Sequence, residues 1–339
     1  MEANSPTGTP NYLSFSLQRE LSFISNMSSK MGASEILRMK RKSSTEKDVG
    51  SLRQKDYDHD DIDDVDKVDY SDDDNAGDTE KHDKKHSHCR VTHGFHLVEG
   101  KMNHRMEDYV VAENRRANGY KLGLYAIFDG HSGCSVAEYL QSHLFDRILN
   151  KPDFWTQPKA AIRRAYRDTD NEILEKVVGS RGGSTAVTAI LINQEKLIVA
   201  NVGDSRAVIC RSGSAKQITV DHDPQKEKKL IESRGGFVSQ KPGNIPRVDG
   251  QLAMTRAFGD ERLKEHITAE PDIVLVTIDT DTEFIILASD GLWKVMSNQE
   301  AADCIIDLAD AQEASEKLIR EALARNSRDD ISCIVVMFQ

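Results

Sequence analysis

The sequence predicts an α+β fold in which antiparallel sheets carry helices on their outer faces. Strand-like segments follow one another across short gaps: only Asn193-Gln194-Glu195-Lys196 separates Ala186–Ile192 from Leu197–Asn201, a spacing typical of a β-hairpin. Two helical patterns, Val136–Leu149 and Pro158–Val178, run consecutively with no strand between them. Both observations disfavour a strict strand–helix–strand repeat with a parallel sheet.

The folded domain is predicted to span residues 91–339, long enough to bury a sizeable core. Apolar segments bounded by turn-forming residues predict strands at Tyr109–Ala112, Leu124–Phe128, Ala186–Ile192, Lys196–Asn201, Ala207–Cys210, Ile273–Ile278, Phe284–Ala288 and Ile331–Phe338. Apolar residues spaced three and four positions apart predict helices at Val136–Leu149, Pro158–Val178, Lys226–Arg234, Asn298–Ala309 and Glu313–Arg325.

Residues 1–90 are predicted to be a disordered, acidic and Ser-rich tail. Eleven aspartates crowd Asp56–Asp74, where like charges repel and keep a chain extended. This stretch does not match a calcium loop, because Asp61 stands where the tight turn needs glycine. The triplet Lys40-Arg41-Lys42 is interpreted as solvated charge, with a nuclear localisation signal as the alternative. The stretch His82–His88 is interpreted as the end of a linker, with adventitious metal binding as the alternative.

Composition narrows the class of protein. The formal net charge is −11, which gives no electrostatic support to a nucleic-acid partner. No apolar run is long enough to span a bilayer, and we expect neither a secretory signal nor an N-myristoyl group, since the start is polar and Glu2 follows Met1. Five widely spaced cysteines without a Cys-x-x-Cys pair favour reduced thiols. The expectation is a monomeric protein of the cytoplasm, the nucleus or both.

Carboxylates recur at the ends of the predicted buried strands. Asp129 ends Tyr125-Ala126-Ile127-Phe128, and His131 follows on a loop loosened by Gly130 and Gly133. Further acidic residues in such positions are Glu107, Asp108, Asp204, Asp260, Asp290, Asp329 and Asp330. Each alone is explained as a turn or cap residue. Together, converging buried carboxylates would repel one another unless a cation neutralised them, and oxygen-only ligands favour Mg²⁺ or Mn²⁺.

From Val91 to Phe338 the chain resembles the metal-dependent type 2C serine/threonine protein phosphatases, especially their plant members. The resemblance rests on seven motifs in order: Met106-Glu107-Asp108, Phe128-Asp129-Gly130-His131-Ser132-Gly133, Gly182-Gly183-Ser184-Thr185-Ala186, Gly203-Asp204-Ser205-Arg206, Leu252-Ala253-Met254-Thr255-Arg256-Ala257-Phe258-Gly259-Asp260, Ala288-Ser289-Asp290-Gly291-Leu292-Trp293 and Ser327-Arg328-Asp329-Asp330-Ile331-Ser332. It implies a four-layer α-β-β-α sandwich, with residues 91–339 as the catalytic domain.

The resemblance also implies a centre of two Mg²⁺ or Mn²⁺ ions. Asp129 would bridge both ions, while Glu107 and the Gly130 carbonyl, supported by Asp108, would complete the shell of one. The other ion would be held by Asp290 and Asp329, with an exchange of roles between Asp329 and Asp330 left open. Asp260 would support the cleft without binding metal.

The implied reaction is hydrolysis of phosphoserine or phosphothreonine in proteins, with protein kinases among the candidate substrates. A metal-bridged hydroxide would attack the phosphorus in line. The leaving oxygen needs a proton, and His131 is the expected general acid. The Gly182–Ala186 motif lacks the lysine of a nucleotide loop, so it is interpreted as close backbone packing between a helix and a strand.

Two positions depart from the family pattern. Asn103 stands where many relatives carry a phosphate-binding arginine, so Lys101 or Arg105 is the candidate to contact phosphate instead. Lys294 stands where many relatives carry an aspartate that helps to hold a third ion. A third ion is therefore disfavoured, and Lys294 is expected to pair with Asp204.

Two other functions remain open at this point. One is a catalytically weak, phosphatase-fold binding or scaffold protein, although such relatives usually lose the core carboxylates that are all present here. The other is a two-metal nuclease, which the acidic balance disfavours. The segment Asp223–Asp249 resembles a mobile flap that selects substrate. It carries no tryptophan, so the co-receptor role of some plant relatives is not expected.

Overall fold

The structure is a computed structural model that describes residues 90–177 and 182–339. Its strands in chain order are β1 (Val91–Val98), β2 (Asp108–Ala117), β3 (Tyr120–His131), β4 (Gly183–Ser184), β5 (Ala186–Ile192), β6 (Lys196–Val202), β7 (Arg206–Arg211), β8 (Ser214–Gln217), β9 (Val238–Ser239), β10 (Arg247–Val248), β11 (Phe258–Gly259), β12 (Asp272–Thr277), β13 (Thr282–Ala288) and β14 (Ile331–Phe338). Its helices are α1 (Ser135–Leu149), α2 (Pro158–Lys176), α3 (Lys228–Ser233), α4 (Asp290–Trp293), α5 (Asn298–Ile305) and α6 (Ala311–Ala324).

Two sheets with antiparallel neighbours form the centre of the described domain. The first has the strand order β1-β14-β13-β7-β8, and the second has the order β11-β4-β3-β5-β6-β12, with β2 paired to β3. Strand β14 therefore lies inside its sheet, where Val91 of β1 pairs with Phe338. Strand β3 is bordered by β2 along its length and by β5 and then β4 on its other side.

Three apolar layers hold the sheets and helices together. In β3, Leu124 and Phe128 pack with residues of α1 and α2, while Tyr125 and Ile127 point to the opposite face and pack against the first sheet. A third cluster joins the outer face of the first sheet to α5 and α6. Because β3 and β14 are covered on both faces, they carry continuous apolar runs instead of a clean alternation. The resulting order of layers is helices, sheet, sheet, helices.

The segment between β8 and β12 has a small core of its own. Ile231 of α3, Val248 of β10, Leu252, Leu263 and Ile267 are buried together in it. Strands β9 and β10 form a two-stranded ribbon at its outer part. This segment contains the predicted flap, and its separate core makes it a unit attached to the side of the sandwich.

The predicted fold class is confirmed, since both sheets are antiparallel and the long helices cover them. The strands at Ala186–Ile192 and Ile331–Phe338 have the predicted bounds. Strand β1 was not predicted, because His93, Gly94 and His96 interrupt its apolar pattern. The polar strand β8 and the one-turn helix α4 were missed for similar reasons, and α5 ends at Ile305 instead of Ala309.

Predictions for the N-terminal tail are not tested. Residues 1–89, including the basic triplet, the aspartate-rich stretch and the His-rich stretch, lie outside the described residues, so the boundary between 1–90 and 91–339 stays a prediction. In the described ranges, none of the helices has both the length and the apolar content that a membrane span requires.

Candidate metal centre and active site

Asp108 and Asp129 face each other across the β2–β3 ladder at one end of the second sheet. The backbone N–H of Asp129 donates to Thr185 Oγ1 at 3.1 Å, and the N–H of Thr185 donates back to the Asp129 carbonyl at 2.9 Å. Ser332 Oγ donates to Asp108 Oδ2 at 2.8 Å, whereas Asp108 Oδ1 is buried without a hydrogen-bond partner. The ladder thus fixes the carboxylates of Asp108 and Asp129 close together at this end of the second sheet.

Glu107 is held beside the end of β3 by close backbone contacts. Its Oε1 accepts the Gly133 N–H at 2.7 Å, and its carbonyl accepts the Gly130 N–H at 3.2 Å. A Cβ atom on Gly130 would stand only 2.6 Å from the Glu107 carbonyl oxygen. Glycine is therefore required here so that the backbone can approach the acidic residue.

Asp290 and Asp329 are brought together by Lys294. Asp290 is the first residue of α4 and is separated from β13 by Ser289, while Asp329 is separated from β14 by Asp330. Lys294 Nζ lies 2.6 Å from Asp290 Oδ2 and 2.8 Å from Asp329 Oδ2. The expected pairing of Lys294 with Asp204 is wrong: the long lysine stem reaches back one helical turn to Asp290 and across to Asp329.

Asp330 has a structural role that is distinct from that of Asp329. Its Oδ1 accepts the Gly100 N–H and its Oδ2 accepts the Glu107 N–H, both at 2.7 Å. With both oxygens bound to backbone amides, Asp330 ties the loop before β2 to the loop before β14. This geometry favours Asp329, whose Oδ2 faces Lys294, as the carboxylate that points into the centre.

The carboxylates of the centre raise one another's pKa values. Burial raises the pKa of Asp129 well above its usual range, and Asp108, Asp290, Asp204 and Asp329 raise it further. Burial is also the main reason why the pKa values of Asp108 and Asp204 rise to about 7. Burial raises the pKa of Asp290 as well, although Lys294 opposes this shift. The five side chains are therefore close enough to interact strongly.

These residues fit hard divalent cations. Asp108 and Asp204 each keep one buried oxygen without a partner, and the mutual repulsion of the cluster is what a cation would relieve. Within residues 90–177 and 182–339, no group of three or more His, Cys, Asp or Glu side chains is arranged so that it could hold a metal ion. The fit to a cation rests on the mutual repulsion of the carboxylates and on their unpartnered oxygens. Lys294 occupies Asp290 and Asp329, so ion binding at these two residues would require the lysine to move.

His131 lies at the edge of this cluster and pairs with Asp260. His131 Nε2 is 2.7 Å from Asp260 Oδ2, and His131 Nδ1 is buried without a partner. Both side chains border a cleft of about 180 Å³ that Gln251, Leu252 and residues 261–263 complete. Asp260 is thus placed to orient the imidazole ring, while Gln251, Leu252 and the residues that follow β11 line the rest of the cleft.

Gly183 explains why the Gly182–Ala186 motif is needed. A Cβ on Gly183 would lie 2.3 Å from both Asp260 Oδ2 and the Phe258 carbonyl, and 2.8 Å from His131 Nε2. Close packing between a helix and a strand was predicted, and β4 does contact α1, but the atoms nearest to Gly183 belong to β3, β11 and the His131–Asp260 pair. The motif therefore makes room for the histidine and its carboxylate.

The candidate phosphate contacts Lys101 and Arg105 lie on the exposed loop before β2. The Lys101 N–H donates to the Arg328 carbonyl at 2.7 Å, which places this loop beside Asp329. Neither side chain forms an ion pair with any described residue. The structure thus brings the loop to the centre but leaves the choice between the two cations open.

Sequence reasoning missed the hydroxyl groups that support the carboxylates. Thr185 Oγ1 contacts both the Asp129 amide and Ser205 Oγ, and the Ser332 N–H donates to Ser289 Oγ at 3.0 Å. Each of these residues lies within a recognised motif, next to a carboxylate or a strand end. Their signal was therefore present, but only the sheet register shows which groups they contact.

The chain matches known proteins over most of its described length. A family model described as "Protein phosphatase 2C" matches residues 95–331. The chain is 64% identical over 254 residues to "Probable protein phosphatase 2C 28" of Arabidopsis thaliana, covering 74% of this chain and 75% of that protein. It is 61% identical over 265 residues to "Probable protein phosphatase 2C 62" of Oryza sativa subsp. japonica, covering 77% and 91%.

Solved structures share the fold at lower identity. A structure described as "serine-threonine phosphatase 2C from Toxoplasma gondii" superposes with a TM-score of 0.63 at 23% identity, covering 74% of this chain and 95% of that one. A "C.elegans sex determining protein" superposes with a TM-score of 0.67 at 26% identity, covering 73% and 64%.

Proposed function

Because the chain belongs to the protein phosphatase 2C family of metal-dependent serine/threonine protein phosphatases, we propose that the carboxylate cluster and the His131–Asp260 pair together form its active site. The observation that carries this proposal is the convergence of Asp108, Asp129 and Asp290 at one end of the sandwich, with pKa values raised by burial and mutual repulsion. The reaction is dephosphorylation of phosphoproteins.

The carboxylates are proposed to hold two Mg²⁺ or Mn²⁺ ions. Glu107, the Gly130 carbonyl and Asp129, supported by Asp108, serve one end, and Asp290 and Asp329 serve the other together with Asp129. When bound, such ions supply an acidified water as the nucleophile and offset charge on the phosphoryl oxygens. The chain contributes the oxygen ligands and the hydroxyl and amide groups that hold those ligands in place.

His131 is proposed to donate a proton to the leaving oxygen of serine or threonine. Asp260 lies against Nε2 and orients the ring for that transfer. An oriented imidazole of this kind contributes about 10²–10⁴-fold to a rate. The ring borders the 180 Å³ cleft, so the phosphorylated side chain is expected to enter between His131 and the wall formed by Gln251, Leu252 and residues 261–263.

The substrate phosphate is proposed to be steered by Lys101 or Arg105. Both lie on the exposed loop that contacts Arg328 next to Asp329, and a lysine there would act as a point charge without the bidentate fork of arginine. Phosphoserine and phosphothreonine proteins, with protein kinases among them, are the proposed partners, and the enzyme is proposed to act as a monomer.

The test is hydrolysis of a phosphothreonine peptide by the full chain with Mn²⁺ or Mg²⁺. Activity should disappear with a chelator and return when metal is added. Asp129→Asn should remove metal binding and turnover together while the circular dichroism spectrum stays unchanged. A scaffold protein would show no turnover with either metal, and full turnover of the Asp129→Asn variant would show that the site is assigned wrongly.

A further inference from the structure

The side chain of Lys294 places a positively charged ammonium group within the carboxylate cluster. Its ammonium contacts one oxygen of Asp290 at 2.6 Å and one oxygen of Asp329 at 2.8 Å. These are the two carboxylates that the proposed function assigns to one end of the metal centre. A single lysine thus neutralises part of the charge that would otherwise attract a divalent ion there.

The other end of the centre has no such cation. In the described ranges, neither Glu107 nor Asp129 takes part in an ion pair, and Glu107 accepts only the Gly133 N–H through its side chain. The described lysine and arginine groups therefore neutralise the two ends unequally. Metal binding at the Glu107–Asp129 end displaces no ammonium, whereas binding at the Asp290–Asp329 end competes with one.

The lysine side chain is able to leave its two partners. It is 51% exposed, whereas Asp290 and Asp329 are 20% and 35% exposed, so water is available to the ammonium once it swings outward. Lysine also carries its charge on a flexible four-carbon stem and is strongly hydrated. Moving it breaks both ion pairs, and hydration of the released ammonium offsets part of that loss.

We propose that Lys294 is a tethered counter-cation that competes with the divalent ion for Asp290 and Asp329. The lysine stabilises the metal-free centre and weakens ion binding at that end, so the two ion positions differ in affinity. This inference rests on the proposed metal centre. The end that holds Lys294 is therefore expected to need a higher concentration of divalent ion for occupancy than the Glu107–Asp129 end.

The experiment measures Mn²⁺ binding to the full chain by the electron paramagnetic resonance signal of free Mn²⁺. Wild type should show a tighter and a weaker class of site. Lys294→Met should tighten the weaker class about tenfold, equivalent to about 1.4 kcal/mol, and change the tighter class less than about twofold. Lys294→Arg keeps the charge and should resemble wild type.

Lys159→Met is the matched control, because Lys159 is exposed on α2, forms no ion pair with described residues and changes the net charge equally. It should leave both classes unchanged. Metal-free Lys294→Met should also melt at a lower temperature than metal-free wild type and gain more from added Mn²⁺. If Lys294→Met does not fold, Lys294→Gln replaces it, with the same expected direction.

The outcomes separate this inference from the proposed function. Equal or weaker Mn²⁺ binding by both Lys294→Met and Lys294→Gln would overturn the competition while leaving phosphatase activity and metal dependence intact. A similar tightening in Lys159→Met would assign the effect to net charge and would also overturn it. If wild type neither bound Mn²⁺ nor hydrolysed the phosphopeptide, the proposed function and this inference would both fall.

Discussion

Asp260 and His131 are the pair of side chains on which proton transfer is expected to depend. Their contact at 2.7 Å holds the imidazole by Nε2 beside the cleft. Asp260→Asn keeps the size of the side chain but removes the charge that holds the ring and its tautomer. We expect kcat on a phosphothreonine peptide to fall about 10–100-fold, within the range of general acid catalysis, with Mn²⁺ affinity unchanged.

The measurement is steady-state kinetics together with Mn²⁺ titration, and Asp303→Asn on the surface of α5 is the control. Asp303 contacts Gln299 within the same helix, away from the cleft. Loss of Mn²⁺ affinity in Asp260→Asn, with kcat preserved at saturating metal, would instead make Asp260 a metal ligand.

Gly183 is a second residue at which a small substitution should change the catalytic rate. An added Cβ would meet Asp260 Oδ2, the Phe258 carbonyl and His131 Nε2, two of them at 2.3 Å. Gly183→Ala should displace the His131–Asp260 pair by a fraction of an ångström. We expect kcat to fall about tenfold or more, because displacements of about 1 Å can cost about 10²-fold.

The control for that change is Gly119→Ala in the β2–β3 turn, where nothing lies within 4 Å of the added Cβ. Its φ of +81° makes alanine strained, so it should cost stability without changing kcat. Equal kcat values for Gly183→Ala and wild type would show that the backbone there tolerates the methyl group.

At the scale of single elements, α5 shows how one helix end responds to pH. Ser297 and Glu300 form a reciprocal capping box, and Arg325 pairs with Glu300 at 2.7 Å. The Ser297 backbone N–H and then Arg325 lower the pKa of Glu300 to about 2. The Glu300 carboxylate therefore adds stability above its unfolded-state pKa, and this contribution is lost as the pH falls towards 2.

Glu300→Gln keeps the hydrogen-bond acceptor of the box but removes the charge. Wild type should be more stable than this variant near pH 7, and the difference in urea midpoint should shrink as the pH falls from about 5 to 2. Glu316→Gln on α6, whose partner Arg320 lies at 3.6 Å, is the control and should show a smaller difference. A difference that stays constant with pH would show that the charge of Glu300 is not involved.

The same scale shows why sequence patterns predicted some elements and missed others. Strands β5 and β14 lie inside their sheets and carry long apolar runs, so composition alone reveals them. Strand β1 is an edge strand with alternating exposure and two histidines, and β8 is exposed at every second position and has Ala215 as its one apolar residue. Edge strands are held mainly by backbone pairing with a neighbour, which no local pattern records.

For the candidate site, the sequence predicted the acidic residues but not the contacts that hold them. Carboxylates at strand ends are visible in the sequence because strands and turns have local patterns. The pairing of Lys294 with Asp290 and Asp329 could not be predicted, since it depends on the direction of the one-turn helix α4 and on how closely the loop before β14 approaches it. The support of Asp108 by Ser332 likewise follows from long-range sheet register.

At the scale of the whole molecule, removal of metal should lower stability. Buried carboxylates with raised pKa values repel one another in the metal-free protein, and ions that bind only the folded state stabilise it by mass action. At a free Mn²⁺ concentration of about 100 times Kd, the gain should be about 2.7 kcal/mol. Calorimetry of the full chain with Mn²⁺ and with chelator measures this shift in melting temperature.

The Asp129→Asn variant is the control for the Mn²⁺-dependent shift in melting temperature. This variant should lose most of the Mn²⁺-dependent shift, and its chelated form should melt at or above chelated wild type because one repelling charge is gone. An equal response of both proteins to Mn²⁺ would place the stabilising ion elsewhere on the chain.

The position of strand β14 also has a consequence for folding during synthesis. It is the last strand in chain order, yet it sits between β1 and β13, and its partner β1 is the first described strand. During synthesis β1 cannot form its ladder with β14 until residues 331–338 have left the ribosome. Asp329 directly precedes this strand, so the proposed metal centre is expected to be complete only after β14 has joined its sheet.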